Sequence, residues 1–309
     1  MSALLAVDGG QSGLRMALVE DGRAVLTAGA AGFSHGSGDD ALAIATAVSE
    51  ARAALALDAP VARVCLGLSG APADAERRAR LAAMLSSRLD GAAVALGPDM
   101  VTAHAGALAG EPGVVVAAGT GAVVLGLGAD GRAARADGLG YLLGDDGSGF
   151  AIGRDGVRAA LRAREGRGAP TALVDAAEAF FGGLAGVTQR IYTSPAPVRD
   201  LAAFAPEVAR VARSGDAVAR GIWDDAARAL VTTAASVLER TGTTVLSHAG
   251  RLFGERELLL EPFLAGIAER CPGAEHRPPL GDSLAGAARL VHQGLGPYAP
   301  LMHTIERTT

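Results

Sequence analysis

Apolar residues come first in short runs separated by small polar turns. Positions 4–7 are apolar, 9–13 are polar and glycine-rich, 15–19 are apolar again, Asp21-Gly22 follows, and 23–27 continues. An Asp-Gly pair between two apolar runs is a strong hairpin signal, so a meander of three strands is predicted. Next come a helix over 39–57 capped by Ser37 or Asp39, a buried strand over 61–68, and an amphipathic helix over 74–89. A strand over 92–96 and a helix over 100–108 complete the series.

The pattern then restarts. Residues 114–118 are apolar, Gly119-Thr120-Gly121 is a turn, 123–127 is apolar, and Asp130-Gly131 is a tight turn. Asp21-Gly22-Arg23-Ala24 recurs as Asp130-Gly131-Arg132-Ala133, and at that offset Gly10 falls on Gly119. Strand 244–247, helix 255–270, an extended piece to 279 and helix 282–292 repeat the order of residues 61–108, with Ser69-Gly70 answered by Ala249-Gly250. Helices are inserted between the repeats. The clearest, over 217–240, carries Val218, Ile222, Ala226, Leu230 and Ala234 along one face. The expectation is an α/β chain of two duplicated mixed-sheet domains, with ligands in a cleft at the strand ends. The first domain spans 1–112. The second spans 113–292 and contains a helical insertion over 153–240, and a C-terminal helix over 293–309 packs back on the first.

Composition narrows the chemistry. Half of the 309 residues are hydrophobic and the net charge is −5, which suits a packed core and not nucleic acid or an anionic membrane. All 28 basic residues are arginine, and asparagine is absent as well. Schiff-base lysines, a Walker lysine, the protein-kinase strand lysine and N-glycosylation are therefore excluded. Cys65 and Cys271 stand far apart, so no disulfide framework or zinc motif is visible. No leader or membrane span is visible either, and a cytoplasmic protein is expected.

The turn Asp8-Gly9-Gly10-Gln11-Ser12-Gly13 offers unobstructed backbone N–H groups, which suit phosphate, and an aspartate able to hold hydrated Mg²⁺. Alone it is equally an ordinary hairpin turn, but its counterpart at Gly119-Thr120-Gly121 makes a pair that could clamp one polyphosphate. Asp99 follows a strand and a Gly-Pro turn, as a general base at a cleft edge would, or as the cap of the next helix would. The stretch 138–149 holds the run Tyr141–Gly149, which joins two adjacent acids and three glycines before a helix near 152–161. It reads as a site for hydroxyls or a cation, or as a loop capped by Asp146. Two patterns fail in context. Gly126-x-Gly128-x-x-Gly131 ends in a hairpin turn and not a helix start. Gly32-Phe33-Ser34-His35-Gly36 launches no helix from its serine. His104 and His292 lie on predicted helices as packing or surface residues, and Trp223 is most simply core.

The run Gly138-Leu139-Gly140-Tyr141-Leu142-Leu143-Gly144-Asp145-Asp146-Gly147-Ser148-Gly149-Phe150-x-Ile152-Gly153 resembles the N-acetylglucosamine kinases. Their wider superfamily holds sugar kinases, actin and the heat-shock ATPases. Asp8-Gly9-Gly10, Leu68-Ser69-Gly70, Asp99, Gly119-Thr120-Gly121 and Ala249-Gly250 resemble the same group, in order, over nearly the whole chain. The resemblance implies the actin-like (ribonuclease H-like) ATPase fold, ATP and Mg²⁺, and an ATP-dependent kinase acting on an amino-sugar hydroxyl. It makes Asp99 the base and Asp8 the Mg²⁺ carboxylate. Gly9, Gly10, Gln11, Ser12, Gly119, Thr120 and Gly121 would meet the phosphates, and Ala202, Ala249 and Gly250 the adenosine. His35, Ser69, Gly70, Gly138, Leu139, Gly140 and Asp145 would line the sugar.

There are departures from the animal kinases. Asparagines that contact their sugar are His35 and Val123 here, a common tryptophan is Leu139, and a glycine of the adenosine turn is Ala249. N-acetylglucosamine, glucosamine and N-acetylmuramate all remain open as substrates, and the resemblance admits a homodimer. Competing readings are an ATPase that activates a redox enzyme, as in the dehydratase-activating relatives, and a non-catalytic sensor. Those activators bridge an iron–sulfur cluster with closely placed cysteines, which Cys65 and Cys271 do not offer.

Overall fold

Two mixed sheets carry the chain, and their strands are laid down in the same order. The computed structural model describes residues 2–10, 12–33, 40–72 and 74–307. It divides into unit 1, Met1–Pro112 with Pro278–Thr309, and unit 2, Gly113–Arg277.

In unit 1 the meander is β1 (Ala3–Gly10), β2 (Gly13–Glu20) and β3 (Arg23–Ala30). Asp21 and Gly22 both take positive φ, as the tight turn between β2 and β3 requires. Helix α1 (Asp40–Ala54) leads to β4 (Val61–Leu68), α2 (Ala75–Arg88) to β5 (Ala93–Pro98), and α3 (Asp99–Leu108) follows. The Asp74 carboxylate accepts the Arg77 N–H and starts α2. The sheet runs β3-β2-β1-β4-β5, with β1, β4 and β5 parallel. Leu5, Val7, Ile44, Leu66, Leu81 and Leu85 are among its buried core.

Unit 2 repeats the plan. Its meander is β6 (Gly113–Ala118), β7 (Ala122–Leu127) and β8 (Ala133–Asp137). Six helices follow: α4 (Gly149–Arg164), α5 (Leu173–Phe181), α6 (Val187–Thr193), α7 (Pro197–Ala202), α8 (Ala205–Arg213) and α9 (Ala217–Thr241). Then come β9 (Val245–Ala249), α10 (Glu261–Arg270) and β10 (Glu275–His276), in a sheet ordered β8-β7-β6-β9-β10. Trp223, Phe204 and Phe263 fill its core. Gly126 sits inside β7 and Asp130-Gly131 turns the hairpin, so the dinucleotide-like pattern has no helix to open.

The structure departs from the sequence reading in four places. The contacts end unit 2 at Arg277 and not at 292, and α11 (Ser283–Gln293) joins unit 1, where it lies on α3. The backbones meet through glycine, since a Cβ on Gly286 would stand 1.9 Å from the Thr102 carbonyl oxygen. The stretch expected as a C-terminal helix over 293–309 instead holds a 3₁₀ turn, Gly296–Leu301, and strand β11 (His303–Ile305), antiparallel to β5 at the sheet edge. The helix expected over 255–270 begins with a π-turn at Arg256–Leu260. Finally, α4 starts at Gly149, capped by Ser148 through the Ala151 N–H, so Asp146 is not its cap.

Candidate active site

Register brings three motifs of unit 1 to one sheet edge. Gly9 of β1 stands opposite Leu68 of β4, and Leu68 opposite Pro98 of β5. Asp8-Gly9-Gly10, Ser69-Gly70 and Asp99 therefore leave the carboxyl ends of three adjacent parallel strands, the usual ligand edge of such sheets. Two strand spacings separate β1 from β5, about 10 Å.

The first glycine turn is tightly supported. A Cβ on Gly9 would press on Phe33, Leu14 and Leu68 at 3.2–3.3 Å, and one on Gly10 would meet the Ser69 Cβ at 3.0 Å. The Ser69 N–H bonds the Gly9 carbonyl at 2.8 Å, so the second turn is docked on the first. Ser12 is exposed at the hairpin tip, while Gln11 and His35 lie outside the described residues, as do Ser34, Gly36, Ser37 and Asp39.

Asp99 is the first residue of α3, and Pro98 occupies the cap position. Pro98 makes no side-chain cap hydrogen bond, so Asp99 stands one position inside the helix and not at its cap. The other nine residues of α3 are buried, which leaves half-buried Asp99 at the head of an enclosed helix. The helix is seated on β4 because Gly67 has no side chain: a Cβ there would fall 2.0 Å from the Thr102 Oγ1.

Asp8 carries a partner that the motif did not announce. It stands directly across the hairpin from Arg15, whose Nη2 and Nε donate to Asp8 Oδ2 at 2.6 and 3.3 Å. Arg15 Nη1 donates to Asp282 Oδ2 at 2.7 Å. Asp282 Oδ1 caps α11 through the Ala285 N–H at 3.0 Å. Burial opposes ionisation of Asp282, but the Ala285 N–H and Arg15 outweigh it and hold its carboxyl below the usual range. The Asp8–Arg15 pairing follows from the β1–β2 register, which the turn expected over 9–13 did not specify. The link to Asp282 was not legible in the sequence either.

In unit 2 a second edge forms. Ala117 of β6 pairs in parallel with Ala249 of β9, so Gly119-Thr120-Gly121 and Ala249-Gly250 emerge together. Gly250 has φ +94, and a Cβ there would fall 2.1 Å from the Ala118 carbonyl oxygen. The start of α4 donates its Gly149 and Phe150 N–H groups to the Gly119 and Thr120 carbonyls at 2.8 and 3.1 Å. Ala202 lies beside it, 3.9 Å from where a Gly149 Cβ would be.

The stretch 138–149 folds back onto that turn. Asp145 Oδ1 accepts the Ala122 N–H at 3.3 Å, and a Cβ on Gly121 would sit 3.1 Å from the Asp145 carboxyl. Burial pushes the Asp145 carboxyl above its usual range, and the nearby charges of Asp137 and Asp146 add to this. Asp137, at the end of β8, accepts the Asp145 and Asp146 N–H groups at 2.7 and 2.9 Å. The motif did not single out Asp137. Gly138 and Gly140 both take positive φ, and Leu139, Leu142 and Leu143 are exposed. Behind the Ala249-Gly250 turn, His248 Nδ1 lies 3.0 Å from His276 Nε2. Burial and His276 depress the His248 imidazole to about 4.

A cation fits Asp8 only as part of a larger complex. Arg15 engages one carboxylate oxygen, which leaves Oδ1 for a hydrated ion. Among the described residues no group of three or more His, Cys, Asp or Glu could hold a metal, so phosphate and water would supply its other ligands, as Mg²⁺ prefers.

Known proteins agree with this architecture. The chain is 26% identical over 230 residues to N-acetylmuramic acid/N-acetylglucosamine kinase of Clostridium acetobutylicum, covering 72% of this chain and 75% of that one. A protein of Chromobacterium violaceum, solved as a candidate N-acetylglucosamine kinase, superposes with a TM-score of 0.76 at 27% identity, over 94% of this chain and 99% of that chain. A glucokinase of the ROK family from Streptomyces griseus, solved with glucose and AMPPNP, shares the fold with a TM-score of 0.62 at 20% identity, over 95% and 100%. The two repeated sheets are thus those of the actin-like ATPase sugar kinases. Residues 5–288 match the model of the BadF/BadG/BcrA/BcrD ATPase family, and the chain belongs to that family.

Proposed function

We propose that this chain is an ATP-dependent kinase that phosphorylates a hydroxyl of an amino sugar of the N-acetylglucosamine or N-acetylmuramate class. The similarity to the Clostridium kinase over 72% of the chain carries the reading. Asp99 at the head of α3, with the cap position taken by Pro98, supports it in chemistry.

In this reading Asp99 accepts the proton of the attacking hydroxyl. The turns at Gly9, Gly10, Gln11 and Ser12 and at Gly119, Thr120 and Gly121 present N–H groups to the phosphates. Ala202, Ala249 and Gly250 border the adenosine. His35, Ser69, Gly70, Gly138, Leu139, Gly140 and Asp145 surround the sugar. Mg²⁺ bound with the nucleotide would neutralise phosphate charge, and Asp8 would hold it through water. The residues then contribute mainly by positioning, as phosphoryl transfer requires.

The redox-activator alternative needs cluster-ligating thiolates. Cys65 is fully buried in β4, and burial pushes its thiol up to about 12, which keeps it protonated. The test is an ADP-release assay over a panel of hexoses and amino sugars. Release that depends on an amino sugar supports the kinase. Steady ATP hydrolysis indifferent to every sugar would return the activator reading.

A further inference from the structure

We propose that Arg15 is a positioning residue for the cation that accompanies the nucleotide. Forked between Asp8 and Asp282, its guanidinium fixes the Asp8 carboxylate so that Oδ1 is the oxygen offered to the ion. The proposal rests on the nucleotide part of the reading above and not on the sugar.

Three observations carry it. Register places Arg15 on the same face of the sheet as Asp8, because directly opposed residues of an antiparallel pair share one face. Both of its donors toward Asp8 converge on the same oxygen, Oδ2. The carboxylate is thereby oriented while Oδ1 takes no recorded bond among the described residues. The far end of the fork is anchored as well. Asp282 caps α11, and its carbonyl lies where a Gly106 Cβ would be 2.1 Å away, so it is pressed onto α3, the helix that begins with Asp99. The chain Asp8–Arg15–Asp282–α11–α3 thus links the cation carboxylate to the helix of the base, all within unit 1. Partners that orient a metal-binding carboxylate in this way are worth about 10- to 100-fold in metal affinity.

The experiment titrates Mn²⁺ against the chain and AMPPNP by electron paramagnetic resonance, without sugar. Arg15→Met and Asp282→Asn are each expected to weaken Mn²⁺ by about 10- to 100-fold, and the double variant by no more than the stronger single one. Asparagine keeps the Oδ1 acceptor that caps α11, so unchanged thermal unfolding of Asp282→Asn separates positioning from loss of fold. AMPPNP affinity in EDTA should stay level in all three. Three results would overturn the proposal: Mn²⁺ affinity unchanged or raised in Arg15→Met, strictly additive losses, or weakened AMPPNP binding in EDTA. The last would make Arg15 a phosphate ligand. A chain that binds Mn²⁺ and AMPPNP but phosphorylates no sugar would count against the proposed function alone.

Discussion

Asp99 tests the chemistry most directly, because its role is separable from its place. Asp99→Asn keeps the size of the side chain at the head of α3 and removes the proposed proton acceptor. Turnover is expected to fall by about 10²- to 10⁴-fold, with AMPPNP affinity unchanged by fluorescence titration. His248 makes a different prediction, about stability. Its folded-state imidazole titrates near 4, against an ordinary 6.5. The unfolded chain therefore binds the proton first as pH falls. Stability is complete above about 6.5 and declines from there down to about 4. His248→Phe should flatten the unfolding midpoint across that window relative to the parent. The strand-end aspartates and paired glycines were legible because each is a local pattern. Asp282 and Asp137 were not, since each acts on a partner that only the fold brings near.

The segment from Asp137 to Ser148 works as a unit. Three exposed leucines and three carboxylates would not hold a shape unaided. The Asp137 carboxylate bonding two successive N–H groups gives the loop one. Asp137→Ala leaves those two N–H groups without their acceptor, at about 1–3 kcal/mol for each one that stays buried. Faster proteolysis between 139 and 143 and a higher KM for the sugar are expected, with thermal unfolding lowered only slightly. Asp137→Asn, which keeps one acceptor, should fall between. Strands and long helices were readable from apolar periodicity and Asp-Gly turns. The π-turn at Arg256–Leu260 and the three-residue strand β11 were not, because neither runs long enough to declare a period.

The duplication was visible in the repeated Asp-Gly-Arg-Ala and became two sheets of matching strand order. The ownership of α11 was not visible, since its place in the repeat and its packing partner disagree. One unit is continuous in sequence and the other is split around it. Residues 113–277 expressed alone should give a cooperative thermal transition and native-like circular dichroism. Residues 1–112 alone, without α11 and β11, should not.

That split sets an order of events at the ribosome. The inserted half leaves the exit tunnel with every strand it needs, while the half begun earlier must wait for residues 278–305 before α11 covers α3 and β11 closes the β5 edge. Until then β5 is an unpaired edge beside apolar surface, the part of the nascent polypeptide most in need of a chaperone.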